Sequence, residues 1–228
     1  MIRVAGLTKV FGRGDAAVEA LRGVTLEIPE GDFVAIMGPS GSGKSTFLSI
    51  LGCLERPTAG EYYLNDRDVN SLEDDELADL RNRRLGFVFQ SYNLLPRHDV
   101  LRNVEIPLVY GGAPRGERRE RAEMLLKQVG LGHRLTHKPA ELSGGEQQRV
   151  AIARSLANNP LVILADEPTG NLDSKASQEI MGIFQKMHQA QRTIVLVTHE
   201  PEIAAYARRV LYFRDGEIVR EEVNDELR

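Results

Sequence analysis

The stretch "FVAIMGPSGSGKST", residues 33–46, sets the fold and runs on into "FLSILGCL". Five apolar residues read as a buried strand, the glycines as a turn, and the apolar-periodic run after them as a helix. Gly38–Ser45 matches G-x-x-x-x-G-K-[ST] at every fixed position, in the strand–loop–helix setting that the pattern requires. Gly38, Ser40, Gly41, Ser42 and Gly43 form a loop whose backbone N–H groups can turn inward onto phosphate oxygens. Lys44 supplies a point charge to the β- and γ-phosphates, Ser45 a hydroxyl for Mg²⁺, and Thr46 reaches an inner phosphate.

Two further apolar runs, "LVILA" (161–165) and "TIVLVT" (193–198), have the same buried-strand character and lead directly into functional-looking residues, Asp166 and His199. Strands of this kind alternating with helices predict an α/β core with a parallel sheet. The first 32 residues are short, alternating and turn-rich, and with "GEYYLNDRDV" they predict a small antiparallel sheet beside that core. "SLEDDELADLRNRR" reads as a helix capped by Ser71, with acids in its first turn and arginines in its last. "ERRERAEMLLKQVG" reads as another. Ala122, Leu125, Leu126 and Val129 share one face and Gly130 stops it. Residues 91–157 are therefore largely helical. The chain reads as one domain, 1–228, with a helical subdomain at about 91–157 and a short charged tail, "EEVNDELR".

Composition excludes several classes. Net charge is −4 and pI about 5.8, the wrong balance for a nucleic-acid binder. The arginines of "RGERRERAE" alternate with glutamates and read as a solvated helix face. The single cysteine, Cys53, cannot build a disulfide framework and reads as a small core residue in a reducing compartment. "MIRVAGLTKVF" lacks the apolar region of a secretory leader. No run approaches the ~20 apolar residues of a membrane span. The chain is expected to be soluble, with no direct membrane insertion, and to meet any membrane through a partner.

The strand ends carry the chemistry. Asp166 can hold Mg²⁺ through water at the end of "LVILAD", and the adjacent Glu167 can orient and deprotonate an attacking water. Two carboxylates beside a triphosphate repel it, so the pair makes sense only with Lys44 and a metal to offset the charge. His199 ends another strand and can hold or sense a γ-phosphate. Gln90 ends "LGFVFQ" and offers an uncharged amide to metal or water. His98, His133, His137 and His188 have no such setting. "LSGGE" (142–146) before a helical run has the form of a second anion-binding turn at a helix N-terminus, though Gly38–Ser45 already provides one.

In this order, Gly38–Thr46, Gln90, "LSGGE", "ILADE" (163–167), "GNLD" (170–173) and His199 resemble the ATP-binding cassette (ABC) ATPases over nearly the whole chain. "LSGGE" separates these from other phosphate-loop proteins. "GFVFQSYNLLPRHDVLRNVEIPLVYGG" and "ILADEPTGNLDSK" are similar to the ATPase subunits of the lipoprotein-release and macrolide-export (LolD/MacB-type) group. The resemblance implies a P-loop NTPase core with an antiparallel β subdomain and a helical signature subdomain, and a transport-coupled ATP hydrolase using ATP and Mg²⁺. It implies an ATP-dependent head-to-tail homodimer and an integral membrane permease subunit as partners, with the chain cytoplasmic and peripheral on the membrane. It implies that Ser143, Gly144 and Gly145 contact the partner copy's γ-phosphate and Asp173 its phosphate-loop region, and that Phe11 stacks on adenine where tyrosine is common. Glu146 stands where glutamine is common. The apolar part of 91–110 reads either as packing inside the helical lobe or as a groove for a cytoplasmic helix of the permease. Closure of the pair would pull mechanically on that partner. Two rivals stay open: a division-type ATPase controlling cell-wall hydrolases without transport, and an amino-acid-type importer ATPase. A DNA-repair or chromosome ATPase would need a long coiled coil between Gln90 and Ser143, where too few residues stand.

Overall fold

A computed structural model describes residues 1–12 and 14–224, without the side chain of Asp15. In chain order the elements are β1 (Ile2–Phe11), β2 (Val18–Ile28), β3 (Phe33–Met37), α1 (Lys44–Leu51), β4 (Ala59–Leu64), β5 (Arg67–Asp68), α2 (Asp74–Arg84), β6 (Leu85–Phe89), α3 (Val100–Tyr110), α4 (Arg115–Gln128), α5 (Gly144–Ser155), β7 (Val162–Asp166), α6 (Ser174–Gln189), β8 (Thr193–Val197), α7 (Pro201–Ala204), β9 (Arg209–Arg214) and β10 (Glu217–Val223). They group into two compact units. One joins Met1–Leu77 to the segment from His188 onward, and the other is Ala78–Met187.

The first unit holds the expected antiparallel sheet, in the order β2-β1-β4-β5. It also holds β3, which lies between β8 and β9 and runs parallel to both, with β10 antiparallel on β9. Every residue of β3 and of β8 is buried, as befits strands covered on both faces. α1 packs against β2 and β8. Phe47 of α1 meets the Phe213 ring with centroids 5.3 Å apart, fastening the helix after the phosphate loop to the sheet.

In the second unit β6 runs parallel to β7, placing Phe89 beside Asp166. The helices α3, α4 and α5 pack on one another, and α5 packs on β6. Ala122, Leu125, Leu126 and Val129 are all buried, as their spacing requires. Gly130 follows α4 at φ +80°, the left-handed conformation of a helix stop. Cys53 is buried, as expected of a small core residue.

Two expectations change, and a third segment shares out between its two readings. Ser71 does not cap α2. Its hydroxyl donates to the Asp68 carbonyl instead, and the helix starts at Asp74, with the Glu76 carboxylate accepting from the Glu73 N–H. A carboxylate reaching back satisfies the same orphan donors as a hydroxyl cap. Nor are all the arginines of α4 solvated. Arg121 donates to the carbonyls of Leu156 and Ala157, because the exposed carbonyls after a helix attract a cation. The 91–110 segment divides. Val100, Leu101, Val104 and Leu108 are buried, whereas Leu95, Pro96 and Tyr110 are exposed. The last four tail residues, 225–228, lie outside the described residues.

Gly43 shows how tightly the phosphate loop is seated. It has φ +99°, and a Cβ there would lie 2.4 Å from the Ala20 carbonyl oxygen, a backbone atom that cannot swing away. Gly43→Ala is expected to destabilise the first unit by about 2–3 kcal/mol. A lowered denaturation midpoint at unchanged m-value would register it, and an unchanged midpoint would refute it.

Candidate functional site

The phosphate loop leaves the buried end of β3 and closes onto α1. Its glycines serve sterics on one side and access on the other. A Cβ on Gly38 would lie 2.2 Å from the Phe213 carbonyl oxygen, whereas one on Gly41 would meet none of the described residues within 4 Å. Lys44 is buried, and its Nζ donates to the carbonyls of Gly38 (2.8 Å) and Pro39 (2.7 Å), so the ammonium lies against the loop. Ser42 Oγ is buried and has no hydrogen-bond partner among the described residues, an orphaned polar atom inside the loop. Ser45 is exposed, and Ser40 and Thr46 are at least partly accessible.

His199 follows β8 in the same unit. The Thr198 N–H donates to the Ile36 carbonyl on β3, so β8 stays paired with β3 up to the residue before His199. His199 and the phosphate loop therefore leave the carboxyl ends of adjacent parallel strands, where open α/β sheets place ligands. Phe11 is exposed at the end of β1, opposite Val18. Lys9 Nζ lies 4.8 Å from the centre of its ring and 2.8 Å from Glu55 Oε2.

In the second unit Asp166 ends β7 and Glu167 follows at φ +45°, in a turn closed by the Gly170 N–H donating to the Glu167 carbonyl. Both are half-buried. Gln90 lies against this turn. A Cβ on Gly170 would be 2.7 Å from Gln90 Nε2, and Asn171 Nδ2 donates to the Gln90 carbonyl (3.0 Å). Gln148 Nε2, buried on α5, donates to the Pro168 carbonyl (2.7 Å). The Gln90 strand end, the acid pair and the signature helix thus form one hydrogen-bonded piece.

Ser143 is the N-cap of α5. Its hydroxyl accepts from the Glu146 N–H (3.3 Å), and Glu146 Oε2 accepts from the Ser143 N–H (2.9 Å), a reciprocal capping box. The Gly144 and Gly145 N–H groups begin the helix and have no partner within it. Asp173 caps α6, accepting from the Ala176 N–H (2.8 Å). Ser143, Gly144, Gly145, Asn171 and Asp173 line one cleft. The structure therefore brings the signature turn together with Asp173, and Gln90 with the loop after Glu167.

Three residues escaped sequence reasoning. Tyr92 and Asn93 both have positive φ, +59° and +49°. Arg154 near the end of α5 donates to their carbonyls, at 2.8 Å and 2.5 Å. A Cβ on Gly144 would lie 2.8 Å from Tyr92 Oη, so the tyrosine joins the signature turn to the segment after Gln90. Burial pushes the Arg154 pKa below the usual arginine value. A signal existed: Gln147, Val150, Ala151 and Arg154 fall at i, i+3, i+4 and i+7, so this arginine shares the packed face of α5. Arg154→Met is expected to cost about 1.5–3 kcal/mol, as two carbonyls lose a charged donor. Hydrogen exchange should quicken at residues 91–99, and unchanged protection there would contradict this role.

Among the described residues no helix is long and apolar enough to cross a membrane. A family profile described as "ABC transporter" matches residues 21–170. An uncharacterized ABC transporter ATP-binding protein of Thermotoga maritima is 54% identical over 218 residues, covering 96% of this chain and 93% of its own length. The macrolide export ATP-binding/permease protein MacB of Marinobacter nauticus is also 54% identical, over 97% of this chain, which spans 34% of that longer protein. Among solved structures, the ATP-binding cassette MJ0796, described as a dimer in a post-hydrolysis state bound to ADP and Pi, superposes with a TM-score of 0.91. It is 48% identical over 100% of this chain and 99% of its own.

Proposed function

The chain belongs to the ABC transporter family as an ATP-hydrolysing cassette, and from that premise we propose that two copies pair head to tail and drive a membrane permease. One observation carries the pairing: the likeness, over the whole chain, to a cassette described as dimeric with ADP and Pi. We read residues 1–228 as one ATPase domain, with 91–157 as its helical lobe.

In this reading Gly38–Thr46 cradles the phosphates of ATP and Lys44 binds the β- and γ-phosphates. The orphaned Ser42 hydroxyl and the cradle that a Cβ at Gly38 would fill support an anion as the missing partner. Phe11, exposed on β1, stacks on adenine. Ser45, Gln90 and Asp166 offer a hydroxyl, an amide oxygen and a carboxylate, hard oxygen donors of the kind Mg²⁺ takes beside substrate phosphates. They would hold that ion, which when bound supplies positive charge against the triphosphate. Glu167 accepts the proton of the attacking water, and His199 holds the γ-phosphate. Ser143, Gly144 and Gly145 present N–H groups and a hydroxyl to the γ-phosphate on the other copy, with Asp173 beside them facing that copy's phosphate loop. A charged ligand shared by two copies favours the closed pair, and hydrolysis removes the link.

The partner is proposed as a separate integral membrane chain of the export or mechanotransmission type, which would place this chain on the cytoplasmic face. The segment 91–112 and the 54% identity to MacB support that choice. Exposed Leu95, Pro96 and Tyr110 offer that chain an apolar contact. Affinity purification of the native complex, followed by identification of the membrane chain, tests it. A permease with a large portion on the far side of the membrane is the expected result. A division-type partner or a small-solute import permease would overturn the export assignment.

A further inference from the structure

Glu146 places a carboxylate within the first turn of α5, three residues from Ser143, where the proposed site receives a phosphate on the partner copy. A lone negative charge there would oppose that ligand. Its oxygens are not equivalent. Oε2 accepts from the Ser143 N–H, while Oε1 lies 3.4 Å from Arg134 Nε. The bond from the Ser143 N–H, with the charges of Arg134 and Arg149 in support, holds the carboxyl below the usual range, so it is ionised. Of the two arginines, Arg149 already has a carboxylate partner, Glu179 at 2.8 Å. Arg134 has no other carboxylate partner among the described residues. Its Nη1 lies 3.0 Å from His137 Nε2, which accepts from it. The loop carrying Arg134 and His137 is strapped to the start of α3: the Val100 N–H donates to the His137 carbonyl (2.9 Å) and the Leu101 N–H to the Leu135 carbonyl (3.0 Å). The guanidinium is thus aimed at Glu146 from a fixed base.

We propose that Arg134 is a positioning residue of the signature turn, offsetting the charge of Glu146 so that Gly144 and Gly145 can receive the partner copy's phosphate. The inference rests on the trans site proposed above. It also explains how an acidic signature can serve where an uncharged glutamine would need no such partner. His137 orients the guanidinium and touches no reacting atom.

The test is a charge cycle on the full chain. Arg134→Gln should lower ATP turnover and ATP-dependent dimer formation about tenfold, the size of one uncompensated charge at a partly screened site. ATP binding by the monomer should not change. Arg134→Lys, which keeps the charge, should retain most of the activity. The decisive comparison is Arg134→Gln with Glu146→Gln, which should turn over within about twofold of Glu146→Gln alone, because no charge is left to offset. If the double variant falls as far below Glu146→Gln as Arg134→Gln falls below wild type, Arg134 acts through packing and the proposal is wrong. Equal loss of fold in both Arg134→Gln chains, read by melting temperature, would refute it too. Ser143→Arg separates the two layers. Full activity in that variant would remove the trans site and this inference with it. An inactive Ser143→Arg beside an unrescued double variant would overturn the role of Arg134 alone.

Discussion

Glu167→Gln should bind ATP, lose turnover by about 10²–10³-fold, and persist as a dimer when ATP and Mg²⁺ are both present. Glu167 leaves β7 directly after Asp166 and stands at φ +45° in a turn closed from Gly170. Glutamine has the same length and the same tolerance of that backbone, so the turn should survive. What disappears is a base able to take a proton from water. A negative charge beside the triphosphate disappears with it, so the closed pair should be favoured while its exit by hydrolysis is blocked. Phosphate release gives the rate, and light scattering with and without nucleotide gives the mass. Turnover at the wild-type rate would sink the assignment of Glu167 as the base. A chain that stayed monomeric with ATP and Mg²⁺ would count against the pairing itself.

Ser143→Arg should reduce turnover by at least about 10³-fold while leaving the nucleotide affinity of the monomer unchanged. Ser143 is exposed, its hydroxyl caps α5, and it lines the cleft shared with Asp173. Loss of the cap costs about 1 kcal/mol. A cation at a helix N-terminus costs up to about another 1 kcal/mol, so the chain should still fold. The functional loss comes from a long side chain standing where another copy's phosphate must approach. Ser143→Ala separates the effects, because it removes the cap without filling the space. If monomer affinity fell in step with turnover, the signature turn would be serving its own chain's nucleotide. Head-to-tail pairing would then have to be abandoned.

The parts of the site legible in the sequence are those coded by short contiguous runs. Gly38–Ser45 follows five apolar residues, and that order alone implies a strand, a cradle and a helix. Asp166 and Glu167 were legible because "LVILA" has one sensible structure, a buried strand, and a polar pair at its end must meet something. Ser71 does not cap α2 because hydroxyl and carboxylate caps satisfy the same orphan N–H groups, and the spacing of "SLEDDE" permits either. On α4, Arg115 and Arg119 keep the exposed face that their spacing implies, and Arg121 departs from it for a related reason. Alternating charge marks an exposed face, but it cannot say that Arg121 will meet the carbonyls at the end of α5.

By itself, the sequence determined the α/β class, the phosphate loop, the order of the strand-end residues and the resemblance to the ABC ATPases. The first three follow from local periodicity or from backbone geometry that only particular residues allow, and the resemblance from the motifs "LSGGE", "ILADE" and "GNLD" in their order. The tertiary structure decided which distant residues support them: Arg154 on the carbonyls of Tyr92 and Asn93, Asn171 on Gln90, and Arg134 on Glu146. Such contacts depend on where separate elements bring long side chains and backbone carbonyls in space. A guanidinium can serve any carbonyl or carboxylate within its reach, so its type and spacing in the chain leave the choice of partner open.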